Sequence, residues 1–142
     1  MLWFDFAMSR SSTGSRARFN KRKSMKSLIN KLFLKQKWHA KRRGLSWLID
    51  FKQWHRLVTS DCYLCAKPPM NAFKCGSLKH QHGLVFKYQG LDRVDNSIGY
   101  ELDNIAPCCK ICNSIKSNRS IDEFIDHISL ILKNKKAGNN ET

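Results

Sequence analysis

The cysteines set the first limit on what this chain can fold into. Two residues separate Cys62 from Cys65, and two separate Cys109 from Cys112. Each Cys-x-x-Cys pair can grip one side of a tetrahedral ion, and four thiolates close its coordination shell, so the pattern predicts structural zinc. Forty-three residues lie between Cys65 and Cys109, so one shared ion would tie two distant segments into a small domain. The N-terminus has no apolar secretory leader, and outside an oxidising compartment such pairs read as metal ligands before disulfides. Cys108 is an alternative to Cys109, but the two-residue spacing favours Cys109. Cys75 is left over. With His80 and His82 it offers ligands for a second zinc, although ordinary loop residues are the simpler reading. The chain has 142 residues, 42% of them hydrophobic, which allows only a small core. The apoprotein is therefore expected to be largely unfolded.

Charge narrows the partner. Lys and Arg total 26 against 11 Asp and Glu, a net +15, and residues 1–60 carry 15 basic and two acidic side chains. A basic half interleaved with Trp3, Trp38, Trp47 and Trp54 points to a polyanion, with nucleic acid ahead of an anionic membrane surface. No stretch approaches the roughly 18 consecutive apolar residues of a membrane-spanning helix. The segment "MSRSSTGSRARFNKRKS" suits a DNA-contacting arm and an organellar presequence equally.

Four regions follow from the pattern: a basic, disordered arm over 1–24, a basic helical DNA-contacting region over 25–60, a zinc-bound domain over 61–132 and a flexible tail over 133–142. Leu28, Ile29, Leu32, Phe33 and Trp38 form an apolar helical stripe among lysines and arginines, and Gly44 stops that helix. "LSWLI" suits a short strand, and Asp50 opens a second helix. After the "CYLC" knuckle, residues 66–83 read as a loop. "LVFKYQ", "GLDRV" and "NIAPCC" read as extended segments and "KICNSIKS" as a helix. Ser120 and Glu123 form a capping box for a last helix. Its apolar face is Ile121, Phe124, Ile125, Ile128 and Ile131 or Leu132, a core-facing pattern.

The chemistry gathers in "GLDRVDNSIGYELDNIAPCCKICNSIKSN", residues 90–118. Asp92 lies at the end of a strand, and Asn113 follows the last zinc cysteine on a helix. Zinc clamped across the hairpin would let the two face one another. A carboxylate oxygen and an amide carbonyl are hard ligands suited to Mg²⁺ or Mn²⁺, leaving positions open for water and phosphate. Asn104 can tie a loop backbone together with its amide, or serve as a plain turn residue. Gly99 suits a tight turn.

Asp92, Asn104 and Asn113, with the run Cys109-x-x-Cys112-Asn113-x-x-Lys116, resemble the HNH endonucleases, whose shared unit is the ββα-metal motif. The resemblance covers residues 62–126 and is strongest to a phage and bacterial branch with Asp-Arg-x-Asp in its first motif, which includes rare-cutting restriction enzymes. It implies an α+β fold, a small zinc-stabilised ββα-metal domain here carrying a basic helical N-terminal extension. It also implies DNA cleavage with one divalent metal held by Asp92 and Asn113, with Asn104 bracing the loop. Arg93 stands where most of the wider family has a histidine base. Arginine cannot take a proton from water, but it can grip a phosphate and stabilise transition-state charge. Tyr63 is the first candidate to activate the nucleophile. In relatives with the Asp-Arg pair a tyrosine precedes the second knuckle cysteine, a place Leu64 holds here. His80, His82 and Asp95 are the other side-chain candidates. Lys116 is expected to meet a phosphate, and Lys41, Arg42 and Arg43 to grip the DNA backbone.

The expected function is a DNA endonuclease of the restriction, homing or phage type, acting in the cytoplasm of a bacterial or phage-infected cell, with organellar import the alternative. One such unit holds one active site, so cutting both strands would take a homodimer or two events. The competing function is a zinc-stabilised DNA- or RNA-binding module without catalysis, which Arg93 permits.

Overall fold

The computed structural model describes residues 13–75 and 84–138, with side chains described between 25 and 74 and between 84 and 137. Cys75 is the last residue of a strand, and His80 and His82 lie outside the described residues, as does the second zinc site that was the less favoured reading of these three. Helix α1 spans Thr13–Arg42, α2 Phe51–Val58, α3 Lys110–Lys116 and α4 Ile121–Gly138. The strands are β1 Asn71–Cys75, β2 Leu84–Tyr88, β3 Gly90–Arg93 and β4 Ile105–Cys108, paired antiparallel as β1–β2 and β3–β4. The whole is an α+β arrangement with a β3–β4–α3 unit following a long basic helix.

Helix α1 begins at Thr13, so its first turns occupy part of the expected arm. Leu28 and Leu32, four apart and on one face, are buried. Lys26, Lys31, Lys35 and Lys37 remain exposed. Trp38 falls off the stripe: it is exposed and lies under the Arg42 guanidinium, 4.8 Å from ring centroid to Cζ. The helix ends at Gly44, whose φ of +69° is cheap only for glycine, while Leu45 N–H closes onto Ala40 C=O at 3.1 Å. Residues 45–49 form no strand. Trp47 instead makes one parallel bridge to Tyr100. Helix α2 starts where expected, with Asp50 and Gln53 each capping the other's backbone N–H.

The core lies between α1, α2 and the two hairpins. Leu32, Ile49, Trp54, Val58 and Ile105 form its buried centre, with Phe33, Phe86 and Tyr100 packed around it. Each such side chain stabilises by about 1.5–3 kcal/mol. Trp54 is fully buried and donates its indole N–H to Gln36 at 2.8 Å.

Three expectations change. Residues 66–83 were expected to be loop throughout, yet residues 71–75 form β1, paired with β2. The alternation of Asn71 and Phe73 inward with Ala72 and Lys74 outward is too short and too polar to announce a strand. Helix α4 continues to Gly138 through most of the expected tail. Its apolar face is a core face only in its first turns. Phe124 is buried and Ile121 and Ile128 are partly buried, but Ile125, Ile131 and Leu132 are 45–55% exposed.

Candidate active site

The thiols of Cys62, Cys65, Cys109 and Cys112 lie within 4.8 Å of one another. A tetrahedron with metal–sulfur bonds near 2.3 Å has sulfur–sulfur edges of about 3.8 Å, and Cys65 Sγ lies 3.8 Å from Cys109 Sγ. The cluster fits a zinc ion. Local backbone builds it. Ala66 adopts a left-handed φ of +56°, and its N–H bonds to Cys62 C=O at 2.8 Å, closing the knuckle. Cys109 is the N-cap of α3, its sulfur accepting from Cys112 N–H at 3.3 Å. Burial pushes the Cys62 thiol up, but backbone N–H bonds from Cys109, Cys65 and Leu64 outweigh it and bring the thiol down to about 6. Burial, joined by neighbouring thiols, pushes Cys112 up, as it does Cys108. Cys108 is fully buried and outside the four-sulfur cluster, as the spacing predicts.

The same knuckle delivers Tyr63. Its N–H bonds to Pro107 C=O on β4 at 2.8 Å, and its hydroxyl donates to Asp92 Oδ2 at 2.7 Å. Burial and the Asp92 carboxylate push the Tyr63 phenol well above its ordinary value. Asp92, on β3, is 3% exposed. Lys116, on α3, is fully buried, with Nζ 3.2 Å from Asp92 Oδ2, 3.4 Å from Asp92 Oδ1 and 3.3 Å from Arg93 C=O. This corrects the expectation of a phosphate contact: three residues beyond Asn113, the lysine turns under the hairpin rather than into solvent. Asp92 Oδ1 keeps only the 3.4 Å contact with Lys116, so it is the oxygen best placed to take a metal.

Asp92, Arg93 and Asn113 line one cavity of about 230 Å³ with Arg43, Asn96, Tyr100, Ser117 and Asn118. Its oxygen donors include the Asp92 carboxylate and the side-chain amides of Asn96, Asn113 and Asn118, a kind of donor that fits Mg²⁺ or Mn²⁺. Arg93 spends Nη1 on loop carbonyls, Asn96 at 2.6 Å and Ile98 at 2.9 Å. Among the described residues nothing bonds to the edge formed by Nε and Nη2. Asn104 holds the loop as an amide brace. Its Oδ1 accepts from Asp95 N–H at 2.9 Å, and its Nδ2 donates to Asp95 C=O and Gly99 C=O, each at 3.0 Å. Asp95 turns away from the cavity: its Oδ1 accepts from Ser97 N–H and Oγ, and those bonds hold its carboxyl below the usual range.

Sequence reasoning missed how this loop meets the N-terminal extension. Tyr100 N–H bonds to Ser46 C=O at 2.9 Å, and Leu48 N–H to Tyr100 C=O at 2.8 Å. Gly99 presses against Ser46 so closely that a Cβ there would fall 2.8 Å from Ser46 backbone atoms. The glycine thus serves an approach between segments, where a tight turn was expected. Arg43, exposed like Lys41 and Arg42, follows from this contact to the rim of the cavity, which the other two do not line.

No protein-family model matches the chain. It is 28% identical over 93 residues to an uncharacterised protein of Acanthamoeba polyphaga mimivirus, a match covering 66% of this chain and 15% of that protein's length. In structure it is similar to the rare-cutting HNH restriction endonuclease PacI, with a TM-score of 0.50 and 19% identity over 79% of this chain and 81% of that one. The fold is HNH-like. Among the described residues no helix is long and apolar enough to cross a membrane.

Proposed function

We propose that the protein is a DNA endonuclease that hydrolyses phosphodiester bonds. The observation that carries this reading is the convergence of Asp92, Arg93 and Asn113 on one cavity braced by a four-thiolate cluster. Asp92 Oδ1 and the Asn113 amide oxygen would hold a Mg²⁺ or Mn²⁺ ion, which when bound supplies Lewis-acid charge to the scissile phosphate. Arg93 presents its free guanidinium edge to a phosphate oxygen as charge grows there. Tyr63 fixes the carboxylate by its hydrogen bond, and its oxygen can accept one from the attacking water, the role arginine cannot fill. Asn104 keeps the loop, and with it Arg93, in place. Zinc on Cys62, Cys65, Cys109 and Cys112 holds the knuckle to α3. The basic surface of α1, with Lys41 and Arg42 at its end, supplies sequence-independent attraction to the DNA backbone.

A second reading, a zinc-stabilised nucleic-acid-binding module without catalysis, draws on the Lys116–Asp92 pair, which satisfies the carboxylate with an ammonium. Nicking of a supercoiled plasmid separates the two. The nuclease reading expects relaxation of the plasmid in Mg²⁺ or Mn²⁺ and none in EDTA, whereas binding without relaxation in either metal supports the module.

A further inference from the structure

We propose that Arg43, carried by the turn after α1, is a second phosphate-gripping residue of the cavity, paired with Arg93 across Tyr100. Arg43 Nη2 donates to the Tyr100 hydroxyl at 2.6 Å, and its Cζ lies 5.8 Å from that ring's centroid. Arg93 Cζ lies 6.0 Å from the same centroid. One tyrosine thus holds two guanidinium groups at the same cavity. A ring face attracts a cation, but two cations sharing one ring also repel each other.

The cavity lining contains two arginines against the single carboxylate of Asp92, and the Lys116 ammonium already pairs that carboxylate from below. The lining therefore carries surplus positive charge, which an anion with several acceptor oxygens would relieve. A phosphodiester placed there would meet both guanidinium groups, so the turn after the long basic helix would complete the active site as the helix attracts DNA. The contact that sets Arg43 in place is specific. Gly44 turns the chain, Ser46 and Leu48 bond to Tyr100, and Gly99 allows the approach. Arg42, one residue earlier, stacks on Trp38 instead.

The ligand class is a phosphate, and only the rate half of the test rests on the nuclease reading. Zinc-loaded full-length protein is titrated with inorganic phosphate by calorimetry, and its plasmid nicking is measured under single-turnover conditions at saturating protein. Arg43→Ala should weaken phosphate binding at least tenfold and slow nicking on the order of a hundredfold. Arg43→Lys should recover part of each, since an ammonium lacks the planar fork. Tyr100→Phe, which keeps the ring and loses the hydroxyl, should fall between wild type and Arg43→Ala. Lys133→Ala, at an exposed lysine on α4, should change neither. If wild type binds phosphate and Arg43→Ala does not, while no variant nicks DNA, the phosphate site stands and the nuclease reading falls. Arg43→Ala behaving as Lys133→Ala does, or wild type failing to bind phosphate, overturns the proposal.

Discussion

The buried pair of Asp92 and Lys116 has a consequence for any mutational test of the site. Both side chains are almost wholly out of water, at 3% and 0% exposure, with Nζ 3.2 Å from Oδ2. Removing one partner strands the other charge, which costs about 3–5 kcal/mol, whereas removing both leaves no orphan. The lost Tyr63 bond adds to the cost on the Asp92 side, because a hydrogen bond to a charged group contributes about 1.5–3 kcal/mol. At about 3–4 °C per kcal/mol for a chain of this size, Lys116→Met should lower the melting temperature of the zinc-loaded protein by about 10–20 °C, and Asp92→Ala by more, about 14–32 °C. The double variant should lose less than the sum, with a coupling of about 2 kcal/mol or more. Thermal melts and urea titrations of the four proteins close this cycle. Lys116→Met melting within about 3 °C of wild type, with a strictly additive double variant, would refute the reasoning and show that water or a metal shares the pair. If the cycle behaves as expected, inactivity of Asp92→Ala reports misfolding as much as chemistry, and Asn113 becomes the cleaner position to probe.

Zinc removal should act on the whole hairpin–helix unit. Structural zinc contributes about 10–16 kcal/mol of binding energy, against a typical net stability of about 5–15 kcal/mol. Chelation or Cys112→Ser should therefore abolish the cooperative melt, and a metal-free protein with an unchanged transition would contradict this. Replacing Lys41 and Arg42 with alanine should weaken DNA binding for all sequences and flatten the salt dependence by about one unit per lost phosphate contact; an unchanged slope would show that both face only solvent. The α4 capping box has a pH signature. The Ser120 backbone and hydroxyl hold the Glu123 carboxyl below its ordinary 4.5, so its stabilisation is present above that value and lost as pH falls through the lowered one. Amide exchange at Phe124 should quicken across that acid window, and Glu123→Gln should remove the pH dependence. The same dependence in the variant would place its cause elsewhere.

What the sequence revealed was local. Two Cys-x-x-Cys pairs, a capping box at Asp50, another at Ser120 and the glycine at position 44 each specify their structure within a few residues. They placed the zinc cluster, the starts of α2 and α4, and the end of α1. The resemblance carried by Asp92, Asn104 and Asn113 placed the cavity, because its strand–loop–helix order is contiguous in sequence. The unread features depend on long-range contact. Lys116 looks like any helical lysine until α3 packs on β3, 24 residues back. Arg43 and Tyr100 are 57 residues apart, and nothing in "KRRG" separates Arg43 from Arg42. The α4 stripe reads as a core face because periodicity reports amphipathicity, not what lies opposite.

The central claim is that Asp92 and Asn113 hold a divalent cation whose presence permits DNA cleavage. Titrating Mn²⁺ into zinc-loaded protein, followed by electron paramagnetic resonance and by plasmid nicking in the same samples, tests it most directly. Wild type should bind one Mn²⁺ beyond its zinc and nick DNA in proportion to that occupancy. Asn113→Ala should retain its zinc, its melt and its DNA affinity while losing both the bound Mn²⁺ and the nicking. An Asn113→Ala protein that binds Mn²⁺ and cuts at the wild-type rate would contradict the claim.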